Sequence, residues 1–304
     1  MTAAAATAAL PAKAGLTHGR AVWLMAAAAL MWSIAGVVTR HLEQARSFEI
    51  TFWRSFFMLL SLLVILPLLR GRTAFAPLLR AGLPLWVSGV CWSVMFTAFM
   101  VGITLMPVAN VLVTMAAAPL LTALVARVFI GHRIAPRTWG AIAAAGVGMV
   151  WMYGAEVGQL SPVGLGVALC IPIAAAINWT VVQRAQGQGL AVDLVPAVFI
   201  GALLSALATL PWALPFAASA RDLALLGLLG LVQLAIPCVL VVYCGRVLKA
   251  PEIALLGLLE VIFGILLAWV GAGEQPAPAV LMGGALVIAA LVFNELLGWK
   301  EQQP

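Results

Sequence analysis

The chain reads as a succession of apolar runs, broken by short stretches that carry most of its charge and many of its turn residues. A helix that crosses a bilayer needs ~20 mostly apolar residues. Ten runs approach that length, at residues 21–40, 49–69, 83–105, 109–130, 138–153, 163–183, 194–215, 223–245, 251–271 and 277–297. The fifth is short, so its helix should extend beyond those limits. Pro107, and residues 249–251, leave room only for tight turns, which makes helices 3 and 4, and helices 8 and 9, antiparallel neighbours.

One run carries an awkward group. Residues 251–275, PEIALLGLLEVIFGILLAWVGAGEQ, place Glu260 near the middle of a crossing. A carboxylate at that depth costs roughly 2.5–3.5 kcal/mol on insertion scales, which marks it as a functional candidate. Moving back 142 positions lands on residues 109–133, ANVLVTMAAAPLLTALVARVFIGHR, where Gly131 matches Gly273 and Pro136 beyond it matches Pro278. Val37-Val38-Thr39-Arg40 likewise matches Val181-Val182-Gln183-Arg184 at an offset of 144. The first five and last five runs are therefore expected to be repeats. Five is odd, so the second copy must be inverted, the architecture in which secondary transporters bind substrate near mid-membrane. The expected fold is an all-α integral membrane protein of ten transmembrane helices in two inverted five-helix repeats. Residues 21–153 and 163–297 form the repeats, and residues 1–20 and 298–304 are tails, the first disordered rather than a cleavable signal.

Composition agrees with a polytopic membrane protein: of 304 residues, 64% are hydrophobic and 9% charged, against about 25% charged in soluble domains. A net charge of +6 would suggest nucleic acid in a soluble protein, but here the basic residues sit at helix ends. With the N-terminus inside, Lys13, Arg20, Arg70, Arg72, Arg80, Arg127, Arg133, Arg137, Arg184, Arg246, Lys249 and Lys300 fall on the cytoplasmic side. Only Arg40, Arg46 and Arg221 fall outside. That asymmetry puts both termini in the cytoplasm of a bacterial-type inner membrane. Cys91, Cys170, Cys238 and Cys244 lie in apolar runs without metal-ligand spacing and are read as reduced small hydrophobes. His18, His41 and His132 lie at or beyond helix ends, so neither a metal, a cofactor nor a hydrolytic triad is expected, and a polytopic enzyme is a distant alternative.

Candidate site residues are the polar and aromatic side chains within the runs. Asn110 and Thr114 are spaced i, i+4 and share a face. Trp92 and Phe96 do the same in helix 3, beside Ser93 and Thr97, and Glu252, Leu256 and Glu260 form a stripe in helix 9. Trp32-Ser33, Asn178-Trp179, Gln233 and Tyr243 complete the set. A cavity lined this way suits a small zwitterion with an apolar side chain. The plainer reading is that Ser and Thr satisfy their own backbone. By the same reading Trp23, Trp86, Trp139, Trp151, Trp212, Trp269 and Trp299 are interfacial anchors. Arg54 lies roughly 8 Å from the outer start of helix 2 and Glu260 about 13 Å from the inner start of helix 9, at 1.5 Å per residue. Three readings of Glu260 stay open: a structural ion pair with Arg54, a site coupling transport to protons, or a protonated, hydrogen-bonded carboxyl. Pro119, Pro172 and Pro237 are expected to interrupt helices 4, 6 and 8 as bends.

Trp32-Ser33, Phe52-Trp53-Arg54, Ala117-Ala118-Pro119-Leu120, Gly131-His132-Arg133, Leu259-Glu260-Val261 and Gly273-Glu274-Gln275 resemble the EamA type of the drug/metabolite transporter superfamily. Val261 departs from the family's usual proline, and His132 from its usual glutamate. The resemblance implies ten helices with cytoplasmic termini and export of amino acids or other small metabolites by alternating access. The expected partners are thus a small-molecule substrate and the lipid bilayer, with protons if Glu260 couples, and a monomer is compatible. Neutral or aromatic amino acids are the first expectation; drug or cationic-metabolite efflux is the alternative, though it would call for more cavity carboxylates. No run carries the polar repeat of a channel filter.

Overall fold

The computed structural model describes residues 16–71, 75, 78, 82–131, 135–155, 161–188, 194–244, 247–248, 253 and 256–301. Residues 1–15, His132, the 249–251 connection, Glu252 and residues 302–304 lie outside the described residues. The described chain is helical. In order it forms α1 (His18–Thr39), α2 (Ser47–Arg70), α3 (Leu83–Leu105), α4 (Val108–Ala116), α5 (Ala118–Ile130) and α6 (Pro136–Ala155). Then come α7 (Pro162–Gly187), α8 (Leu194–Ala213), α9 (Ala220–Leu228), a π-helical segment (Leu229–Ala235), α10 (Ile236–Cys244), α11 (Leu259–Ala272) and α12 (Pro278–Glu301). Proline opens α6, α7 and α12, where its missing N–H and fixed φ are harmless.

Among the described residues, eight helical stretches are long and apolar enough to cross a membrane. Of the two other expected crossings, residues 138–153 lie in α6, whose apolar character is diluted by Gly140, Gly146, Gly148, Gly154, Trp139, Trp151 and Tyr153. Within residues 251–271, Ile253, Leu256 and Gly257 are helical, and the 14-residue apolar helix α11 follows Leu258. Trp23, Trp86, Trp139, Trp151, Trp212 and Trp269 are all exposed on the bundle.

Two of the three crossings expected to be interrupted at a proline do depart from a regular α-helix. The fourth is divided at Ala117 between α4 and α5, because Pro119 has no N–H for the Met115 carbonyl; Ala117 N–H turns back to Thr114 O at 3.2 Å instead. The eighth is continuous through Pro237 but widens just before it. In the π segment the Ile236 N–H reaches back five residues to Leu231 O, and the wider turn relieves the ring of Pro237 from the carbonyl four residues back. Pro172, expected to interrupt the sixth helix, sits inside the unbroken α7. Membrane helices tolerate such a proline where neighbouring groups re-satisfy the freed backbone.

The two halves of the chain interdigitate rather than sit side by side. The heaviest helix contacts pair α6 with α12, α3 with α7 and α8, α2 with α8, α1 with α11 and α5 with α7. Each joins the first half to the second. Small residues allow the approach: a Cβ added at Gly148 would meet the Gly283 carbonyl at 2.7 Å. Without a hydrophobic force between helices in lipid, such close backbone packing is what holds them together.

Candidate substrate site

A cavity of about 310 Å³ lies where the halves meet. In α3, Trp92, Phe96 and Phe99 follow at i, i+4 and i+7, so one helical face turns three rings toward it, with Met95 beside them. In α7, Ile171, Ala175 and Trp179 form the facing stripe, and α1 contributes Trp32. The helix irregularities supply the rest. Met115 and Ala118 flank the α4–α5 break, Gln233 and Leu234 come from the π segment, and Glu260 opens α11 with Gly257 just before it.

Three polar side chains stand in this aromatic wall. Arg54, 2% exposed, donates from Nε to Gln233 Oε1 at 3.0 Å and from Nη1 to the Phe96 carbonyl at 3.4 Å. Its Cζ lies 5.6 Å from the Phe99 ring centroid, a cation–π arrangement. Gln233 donates from Nε2 to the Trp32 carbonyl at 3.2 Å, so its amide bridges α1 and α2. Glu260 faces the same cavity. It makes no hydrogen bond, and no ion pair within 4.0 Å, with any described residue. The direct Arg54–Glu260 ion pair, one of the three readings of the sequence, is therefore not formed here.

Of the ten residues expected to bind substrate, Trp32, Trp92, Phe96, Trp179 and Gln233 line the cavity, whereas Ser33, Asn110, Thr114, Asn178 and Tyr243 do not. Ser33 donates to its own helix at Leu30 O, 2.7 Å away. Thr114 donates to Asn110 O at 2.7 Å and also pairs with the Tyr153 hydroxyl. Asn178 accepts from Ser88 Oγ at 2.6 Å between α7 and α3. Tyr243 packs with the cluster built on Met58 and Leu62. Sequence reasoning passed over Phe99, although it continues the Trp92–Phe96 stripe, and Met115 and Ala118, although they flank Pro119.

One end of the bundle is bound by charge. Arg40 Nε meets Glu274 Oε2 at 2.7 Å, and the same guanidinium donates to the Ile103 and Met106 carbonyls at 2.7 and 3.2 Å. The other Glu274 oxygen accepts from the Val108 N–H. Alongside, the buried Asp222 carboxylate takes the N–H groups of Glu43, Gln44 and Ala45 at 2.9–3.0 Å while completing a capping box with Ser219 at the start of α9. Buried Glu49 accepts from Ala217 and Ala218. Each tie links a loop of one half to the other half.

An aromatic cavity with fixed polar groups, enclosed by two interdigitated sets of apolar helices, belongs to a membrane protein that handles small molecules. The family model of EamA-like transporters matches residues 19–154 and again residues 162–295; the chain belongs to the EamA-like transporter family and carries its unit twice. Twenty-one chains of solved structures share the fold. One of them, a crystal structure, aligns over 94% of this chain and 100% of its own with a TM-score of 0.62 and 21% identity. No curated protein matches the sequence. The protein is thus an integral membrane transporter of small molecules.

Proposed function

We propose that the protein is a secondary transporter that exports small metabolites, neutral or aromatic amino acids foremost, across a bacterial inner membrane by alternating access. The observation that carries this reading is the cavity itself. At about 310 Å³ it lies at the small end of ligand pockets, which run from ~300 to 1,000 Å³. That size favours an amino acid over a bulkier drug. Its wall pairs a broad aromatic surface with one cation, one amide and one carboxylate among the described residues. Cationic-metabolite efflux draws on Glu260 alone and leaves Arg54 an unfavourable neighbour for its cargo.

In this reading residues 21–153 and 163–297 are the two inverted repeats. The Lys and Arg distribution sets both termini in the cytoplasm, and the helix breaks at the cavity are where one repeat moves against the other. Purified protein reconstituted in liposomes, loaded with unlabelled amino acid and challenged with labelled leucine, phenylalanine or organic cations, tests it. Counterflow of the amino acids is expected. Counterflow of organic cations alone would instead establish the efflux reading.

A further inference from the structure

Arg54 is a cation buried in a membrane-spanning helix, with no carboxylate within 4.0 Å among the described residues. Intramembrane charges normally pair, because an uncompensated ion in such surroundings is expensive. A guanidinium carries five N–H donors in a rigid fork. Here one is well used, on Gln233, and a second makes a long 3.4 Å contact with the Phe96 carbonyl. The remaining donors belong to a side chain that lines the cavity.

Gln233 fixes how that fork is presented. Its amide can serve only one way round: Oε1 accepts from Arg54 and Nε2 donates to the Trp32 carbonyl. With Nε thus engaged, the Nη groups are the ones left for a ligand. Gln233 reaches this place from the π segment, whose turn runs one residue wider than an α-turn, and π turns of this kind recur at functional sites. Across the cavity the Glu260 carboxyl has no hydrogen-bond donor among the described residues, yet it does not close on Arg54. A guanidinium and a carboxyl group thus share one small aromatic chamber without pairing.

We infer that Arg54 docks the carboxylate of the substrate, that Gln233 is the residue positioning its guanidinium, and that Glu260 receives the substrate's ammonium group. The cavity then selects molecules that carry both charges on a small frame with an apolar side chain, in preference to simple amines or simple acids. Arg pairs with carboxylates through two parallel N–H···O bonds, which Lys could not reproduce. This inference rests on the amino-acid reading above and specifies the chemistry of that site.

The test is equilibrium binding to the purified full-length protein in detergent, alongside the liposome counterflow. The probes are L-phenylalanine, L-phenylalaninamide, which lacks the carboxylate, and N-acetyl-L-phenylalanine, which lacks the ammonium group. Each derivative should bind roughly 10- to 100-fold more weakly than the parent, the range for losing a hydrogen bond to a charged partner. Arg54→Gln should erase the gap between phenylalanine and its amide and leave the acetyl gap standing. Glu260→Gln should do the reverse. Gln233→Glu keeps Arg54 in place but supplies a competing carboxylate, so it should narrow the amide gap even where Arg54→Gln fails to fold. A role in packing alone would lower stability and weaken all three probes alike. Amino-acid counterflow with gaps unchanged in Gln233→Glu overturns this inference and leaves the transport reading intact. Failure of every amino acid to exchange overturns both.

Discussion

Thr114 shows how a polar residue in a membrane helix is spent. Its hydroxyl bonds the Asn110 carbonyl one turn back and the Tyr153 hydroxyl on α6, and none of the three lines the cavity. Thr114→Val should therefore lower thermal stability in detergent by about 1 kcal/mol, the usual worth of one such bond, and leave the half-saturation of amino-acid counterflow unchanged. A large rise in half-saturation would bring the residue back to the substrate. The spacing of Asn110 and Thr114 revealed that they share a helical face but not what that face meets. Which polar side chain looks into the cavity depends on the rotation of each helix against its neighbours. Asp222 escaped sequence reasoning for a related reason: it sits at a helix start, where a carboxylate looks like an ordinary cap. Three of the N–H groups it holds belong to residues 43–45 in the other half of the chain. Asp222→Ala leaves these donors without their acceptor; because Glu43 and Gln44 are exposed and water can reach them, the loss should be about 1–3 kcal/mol in all, seen as a lowered melting temperature.

Continuous helices supply the rings and Arg54, and the breaks in the helices add Met115, Ala118, Gln233, Leu234, Gly257 and Glu260 to the site. α5 starts at Ala118 and α11 at Leu259, 141 positions apart, and the glycines that end them, Gly131 and Gly273, are 142 apart. Gly131 and Gly273 both take left-handed caps, with φ of 72° and 69°. The repeat read from sequence thus corresponds to a repeated piece of backbone. Met115 and Gly257, and Ala118 and Glu260, are equivalent pairs at that spacing, and all four line the cavity. Equivalent backbone places Glu260 where the first repeat has only a methyl group. Gly273→Ala forces a side chain into the left-handed region and should destabilise the protein by roughly 1–2 kcal/mol, measurable as a lowered melting temperature. The π segment had no such sequence signature. Its cause includes packing: a Cβ on Gly230 would lie 2.6 Å from Phe57 Cβ and 2.7 Å from the Met58 nitrogen. Gly230→Ala must therefore push the segment from α2 and carry Gln233 away from Arg54. The expected result is a folded protein whose amino-acid counterflow is strongly reduced; wild-type flux would show that the register of Gln233 is immaterial.

In the proposed alternating-access cycle, the end bound by Arg40 and Glu274 comes apart and re-forms in each turnover. In the proposed orientation, with both termini cytoplasmic, that end faces outside. The tie spans both halves, through the carbonyls of Ile103 and Met106, the Val108 N–H and the Glu274 carboxylate. Its partners are partly exposed, at 30% and 18% of their side-chain surface, so they keep solvent access and break more readily than a buried pair. Glu274→Gln removes the charge but keeps the shape. It should shift the resting population toward a state open at that end. Cys238, on the cavity wall, is a natural reporter once Cys91, Cys170 and Cys244 are replaced by alanine. In whole cells, a membrane-impermeant maleimide added outside should label Cys238 several-fold faster in Glu274→Gln than in the parent, a population shift of about 1 kcal/mol by ordinary two-state arithmetic. Saturating phenylalanine should slow that labelling in both, since the substrate would occupy the cavity the thiol lines. Equal rates in the two proteins would mean that the Asp222 and Glu49 ties hold the end shut without Arg40, and the double variant Glu274→Gln/Glu49→Gln would then be the faster-labelling form.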